Sequence, residues 1–435
     1  MSVNPEVHGE VEAEAQLANR IGWRLMPLLV ILFLVAFIDR QNVGFAKLTM
    51  LADTGMSETA YGLGASLFFI GYLLFEIPST LALHRFGARL WIGRIIFTWG
   101  LATVLLGFTA NAKMFYSLRF LLGAAEAGFY PGVLYYLTLW FPRVHRMRML
   151  GVFTLGSALG NMLGAMVSGP LLDLNGALGL AGWQWVFLGT GVPALLLTVV
   201  VFVYLPSSPA EAKFLTAEEK AAIAAALARD AGESRPAQGR PWVCLGDPNV
   251  YGFALIYMLM ATTQYGVTYW MPTVVKGFGV TASVNGLLNM IPWALAAVML
   301  LVIPRRLKTD LAVFKAVAVI AFVGAMAFLA SVLIRSDRER YFALCLGVPC
   351  ISLLYPCFWT LPPRFFSGAR AAASLAAINS IGNLGGFFGQ NLMPRAKEWL
   401  GSAASAMLVP ATCLMVLSIT AVVAFVRFRR VRRPA

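Results

Sequence analysis

The chain has 435 residues, of which 59% are hydrophobic and only 12% charged, against roughly a quarter charged in an ordinary soluble domain. This composition excludes a water-soluble globule. With about 20 apolar residues needed per crossing, the length suits about a dozen membrane spans with short loops and no large soluble domain. The net charge of +14 raises nucleic-acid binding as a function, and the placement of the basic residues argues against it.

The first twenty residues carry Glu6, Glu10, Glu12 and Glu14 and lack the basic start and apolar centre of a secretory signal, so residues 1–23 are expected to stay as a cytosolic segment. Apolar runs follow near 24–47, 59–82, 90–110, 114–139, 149–172 and 184–205. After a polar interval come runs near 249–275, 284–303, 311–334, 341–361, 371–394 and 405–426. The expected fold is therefore an all-α membrane protein of twelve transmembrane helices. Its organisation is an N-terminal six-helix half over 24–205, a cytosolic linker over 206–247, a C-terminal six-helix half over 248–426 and a basic tail over 427–435. Within the linker, Thr216 and Glu219 have the spacing of a capping box at the start of a short helix. The fifth run contains GNMLG (Gly160 to Gly164) and the eleventh GNLGG (Gly382 to Gly386), as expected if the second half repeats the first.

On this layout 23 of the 34 Lys and Arg residues fall in segments on the side of the termini and 8 on the other. The positive-inside rule then places both termini in the cytosol of a multi-pass inner (plasma) membrane protein. The tail RFRRVRRPA reads as a topology anchor near anionic lipid, and no nucleic acid is expected as partner. Five cysteines without a C-x-x-C pair read as small core residues. His8, His84 and His145 lie outside the apolar runs, so no metal site is expected.

Five charges sit deep in apolar runs: Asp39, Arg40, Glu76, Arg119 and Glu126. Each costs about 3 kcal/mol at mid-membrane on insertion scales, so such residues face one another or a watery cavity and mark a pathway. Arg119 and Glu126 are seven residues apart and share a helix face about 10 Å apart, with Gly123 between them to admit a helix or a solute. Asp39 and Arg40 point about 100° apart, so one is expected to meet the fourth helix and the other to enter the cavity. Arginine suits an anionic cargo through its planar fork, and buried carboxylates suit protons. Glu76, close to Pro78, reads as structural.

Several segments together resemble the anion:cation symporter family of the major facilitator superfamily, in its bacterial branch of tartrate-, phthalate- and 4-hydroxyphenylacetate-type permeases. They are FIDRQNVGFA, LFFIGYLLFEIPS, HRFGARLWIGR, RFLLGAAEAGFYPG, GWQWVF, LPSSPAEAKFLTAEEK and INSIGNLGG. The resemblance spans nearly the whole chain and is specific for the family, less so for a substrate. It implies two six-helix halves rocking about a central site. It carries over Asp39 and Arg40 from the first span and Arg119 and Glu126 from the fourth as functional positions. Around the solute it implies Tyr72, Trp359 with Thr360, Asn379 and, as a weaker match, Gln264. One departure is His84, which stands in HRFGAR where the superfamily usually has aspartate before R-x-G. A gating ion pair built on that aspartate is therefore not expected.

The reading from sequence is a proton-coupled symporter that imports a small organic carboxylate by alternating access as a monomer. Asp39 and Glu126 would carry protons, and Arg40 and Arg119 would attract the anion. The alternative is a proton-independent organic anion exchanger of the same fold. No cofactor beyond the coupling proton is expected, and the absence of an H-E-x-x-H or G-x-S-x-G motif argues against an enzyme.

Overall fold

The computed structural model describes residues 5–233, 246–302, 310–362, 365–366 and 369–431. Cys244, Arg235, Arg240, Arg364 and the basic residues Arg305, Arg306 and Lys308 lie outside the described residues. So do the last four residues of the tail and the side chains from 427 on.

The first half comprises α1 (Pro5–Thr54), α2 (Glu58–Phe86), α3 (Ala88–Leu106), α4 (Ala112–Glu126), α5 (Phe129–Trp140), α6 (Arg143–Asp173) and α7 (Gly182–Tyr204). A linker helix α8 (Ala217–Glu233) follows. The second half comprises α9 (Pro248–Lys276), α10 (Ala282–Val302), α11 (Asp310–Leu333), α12 (Asp337–Trp359), α13 (Ala369–Asn383), α14 (Gly385–Leu400) and α15 (Leu408–Val431). Among the described residues, nine helices are individually long and apolar enough to cross a membrane. The other three crossings are α9, with its many polar residues, and two helices that are each broken in two.

Both breaks were expected as continuous runs, and both have local causes. Between α4 and α5 the chain turns at Ala127 and Gly128, whose φ of 84° favours glycine. Pro131 lacks the N–H that would bond the Ala127 carbonyl, which removes one helical hydrogen bond at the same turn. The break between α13 and α14 falls at Leu384 inside the glycine cluster. There, a Cβ on Gly385 would lie 2.2 Å from the Met258 carbonyl of α9. Glycine here exchanges helix regularity for backbone contact, the usual economy of membrane helix packing.

The halves meet through symmetric pairs: α6 packs on α10 and α2 on α14, while α1 meets α9 along the axis between them. The glycine repeat has equivalent positions in the two halves. Gly160 packs against Phe37 and Leu34 of α1, and Gly382 against the Tyr257 ring of α9, each touching the first helix of its own half. An even number of crossings puts both termini at one end, called here the terminal face.

At the far face the halves are closed on each other. Lys276 Nζ donates to the Leu48 carbonyl at 2.6 Å, Lys397 pairs with Glu58 at 2.9 Å, and Ser283 N–H donates to Asp173 Oδ2 at 2.9 Å. On the terminal face α8 docks against the first half. Its capping box forms as expected, with Glu219 N–H on Thr216 Oγ1 (3.2 Å) and Thr216 N–H on Glu219 Oε2 (3.0 Å). The Arg20 guanidinium also bonds Glu219 and, with the capping contacts, holds its carboxyl below the ordinary range.

Candidate functional site

Arg40 lies on α1 near the middle of the bundle and links the two halves. Its Nε and Nη2 donate to Glu126 Oε1 on α4 at 2.9 and 2.5 Å, and its Nη1 donates to the Tyr265 hydroxyl on α9 at 3.1 Å. Three rings surround the guanidinium: Phe37 at 5.2 Å, and Phe68 and Tyr72 at 5.6 Å. They contribute cation–π attraction without neutralising the charge. Arg40 keeps 17% of its side chain exposed whereas Glu126 keeps 1%, so solvent reaches the pair from the arginine side. Glu126 Oε2 is buried with no hydrogen-bond partner.

Glu126 is the last residue of α4, directly before the break. A carboxylate at a helix C-terminus faces the negative end of the dipole. Its placement there depends on Arg40 and leaves its second oxygen beside an interrupted backbone.

Arg119 is buried two turns earlier on α4. It donates through Nη2 to the Ala65 carbonyl of α2 at 3.0 Å, stands 5.2 Å from the Phe68 ring, and leaves Nε without a partner. What approaches Gly123 is α2: a Cβ there would fall 1.9 Å from the Phe68 carbonyl, and one on Gly71 2.2 Å from the Phe120 carbonyl. The two helices therefore run backbone to backbone, which sets the Phe68 ring next to both arginines and the Tyr72 ring next to Arg40.

The expected division of labour between Asp39 and Arg40 is not what the fold adopts. Arg40 both meets the fourth helix and is the member of the pair left partly open to solvent. Asp39, 100° round α1, turns into the interior of the first half. There it accepts from Asn42 Nδ2, Trp99 Nε1 and Thr103 Oγ1, all at 2.6 Å, with Thr190 Oγ1 at 3.4 Å. Neutral donors from α1, α3 and α7 satisfy this carboxylate.

The remaining candidates divide in the same way. Tyr72 joins the Arg40 cage. Gln264 is half-buried on α9 next to Tyr265. Trp359 packs edge-on against Tyr257 at 5.2 Å within the second half, with Thr360 exposed at the end of α12. Asn379, half-buried on α13, precedes Ser380, whose hydroxyl donates to Glu76 Oε2 at 2.8 Å across the two halves. The structural role expected for Glu76 thus has a partner. His84 lies in the last turn of α2, its ring centroid 4.0 Å from that of Tyr135. Phe37, Phe68 and Ser380 were missed in the sequence, although Phe37 is one turn before Arg40 and Phe68 one turn before Tyr72.

Two halves closed at one face, around an arginine that joins them, is the arrangement of an alternating-access carrier. The sequence matches the family model of the Major Facilitator Superfamily over residues 29–390. The chain belongs to the Major Facilitator Superfamily. It is 41% identical over 399 residues to a quinolone resistance transporter of Acinetobacter baumannii, covering 91% of this chain and 92% of the relative. It is 39% identical to a putative tartrate transporter of Agrobacterium vitis, covering 95% of each, in keeping with the anion:cation symporter branch that the motifs resemble. Among solved structures, the inward-open xylose transporter XylE of Escherichia coli superposes with a TM-score of 0.71 at 14% identity, over 92% of this chain and 95% of that one. This superfamily fold makes the chain a multi-pass membrane transporter for a small molecule.

Proposed function

We propose that this transporter is a proton-coupled symporter for a small organic carboxylate, acting as a monomer in a bacterial inner membrane with its terminal face in the cytosol. The observation that carries the reading is the Arg40–Glu126 pair. A solute carboxylate entering the cage competes with Glu126 for the same guanidinium fork. Once displaced, Glu126 is a buried charge without a partner, which is strongly unfavourable, and it becomes neutral by taking a proton. Anion and proton therefore load together, and departure of the anion returns Glu126 to Arg40 as its proton leaves. Asp39, hydrogen-bonded by neutral groups of α1, α3 and α7, is the second proton candidate. The basic residues concentrated toward the terminal face support the cytosolic orientation. The tartrate-transporter relative supports a carboxylate as cargo.

Glu126→Gln mimics the protonated state. It is expected to retain counterflow exchange of carboxylate in proteoliposomes and to lose accumulation driven by a pH gradient. Full pH-driven accumulation by this variant would move the proton site to Asp39. If wild-type uptake itself ignores the pH gradient, the proton-independent exchanger is the correct reading. The quinolone-resistance relative favours a second reading, outward movement of a bulkier aromatic solute against proton entry. It is distinguished by the direction in which an imposed pH gradient drives the solute.

A further inference from the structure

The closed far face contains a charge that the mechanism above does not use. Lys47 stands two helical turns beyond Arg40 on α1, on the same strip and about 10 Å nearer the far face. It is 1% exposed, and its Nζ has no hydrogen-bond partner. The ammonium lies 3.4 Å from the ring centroid of Trp270 and 5.0 Å from that of Tyr269, both on α9 in the opposite half. The helices touch here: a Cβ on Gly44 would lie 2.8 Å from the Tyr269 carbonyl. Along the same stretch, the hydroxyls of Thr49, Thr268, Tyr269 and Thr273 are also buried without partners.

A seam that stayed closed would gain from apolar side chains at these positions, since unpaired buried polar groups are costly. A seam that opens in every cycle gives them water and ligand in its other state. Separation of α1 from α9 removes both rings from Lys47 and leaves a free ammonium at the mouth of the strip that leads to Arg40. A path of stacked rings continues inward. Tyr269 lies 6.3 Å from Tyr61, and Tyr61 4.6 Å from Phe115, which is one turn before Arg119 with its unpartnered Nε.

We propose that Lys47 is a capture site for carboxylates entering from the far face, present only when the α1–α9 seam is open, and that Trp270 displaces the anion inward by reclaiming the ammonium as the seam closes. This rests on the reading of the solute as an anion.

The test reads the site without needing the cargo. Thr268→Cys is introduced into the full chain with its five native cysteines replaced by alanine. Sealed right-side-out vesicles are then treated with a sulfonate-bearing or a trimethylammonium-bearing methanethiosulfonate. Relative to the rates of the two reagents on a small free thiol, the anionic reagent is expected to gain about tenfold over the cationic one, the scale at which a charged cleft concentrates opposite charge. Lys47→Gln should abolish the preference and Lys47→Arg retain it. No far-side reaction at Thr268→Cys, or a preference unchanged by Lys47→Gln, overturns the proposal. An unchanged unfolding temperature of the Lys47→Gln chain in detergent shows that it is folded. The proposed symport stands or falls separately, on the Glu126→Gln transport assay.

Discussion

At Arg40 the geometry assigns a separate task to each nitrogen: two meet one carboxylate oxygen and the third meets a hydroxyl of the other half. A lysine carries the same charge but cannot span Glu126 and Tyr265 together, because its three donors radiate from one atom. Arg40→Lys is therefore expected to weaken carboxylate binding by about 1.5–3 kcal/mol, the range for hydrogen bonds to charged groups. Tyr265→Phe removes one neutral-to-charged bond and is expected to cost about 1.5 kcal/mol, the low end of that range. Titration calorimetry on the purified protein checks both, and unchanged affinity in Arg40→Lys would make this arginine a structural brace. The sequence showed four of the buried charges, Asp39, Glu76, Arg119 and Glu126, because a lone charge in an apolar run is visible without coordinates, but Lys47, counted with the far-side segments, was missed. It did not show how they pair. Adjacent residues diverge by 100°, so the choice between Asp39 and Arg40 depended on donors from α3 and α7, which lie 60 or more positions away and are read only from the fold.

At the scale of the element, glycine determines how close the helices come. Gly123 and Gly71 let α2 and α4 approach until main chain meets main chain, and this contact carries Phe68 and Tyr72 to the arginines. Gly123→Ala would put a methyl 1.9 Å from the Phe68 carbonyl oxygen, and a backbone atom has no rotamer in which to yield. The expected cost is about 1–3 kcal/mol of overpacking, seen as a lower unfolding temperature in detergent together with weaker solute binding as the cage widens. Gly151→Ala, where no neighbour lies within 4 Å, is the control and should change neither. Run lengths gave the helices reliably, and the repeated glycine motif announced the relation between the halves. The breaks at Gly128 and Leu384 were harder to read, because each lies within an unbroken apolar run. Only Pro131 and the glycine cluster signalled them, and both residue types also occur within continuous membrane helices.

For the whole molecule, the distribution of contacts between the halves defines the state. Lys276 with Leu48, Lys397 with Glu58 and Ser283 with Asp173 close the far face, and Arg40 beneath them remains partly open to solvent. If the halves move as rigid bodies, these bonds must all break for the site to open the other way, since packed interfaces switch between discrete arrangements and do not deform continuously. Fixing one of them should therefore fix the carrier. The pair Asp173→Cys and Ser283→Cys, joined by a short bifunctional thiol reagent in a background without other cysteines, ties α6 to α10 at the closed end. The joined protein is expected to lose transport in both directions while keeping carboxylate binding from the terminal face, measured in inside-out vesicles, and cleaving the linker should restore transport. Binding and transport lost together would mean that the crosslink had distorted the site. Transport that survives complete crosslinking would show that the far face opens elsewhere, and α6 and α10 would then act as a hinge instead of a gate.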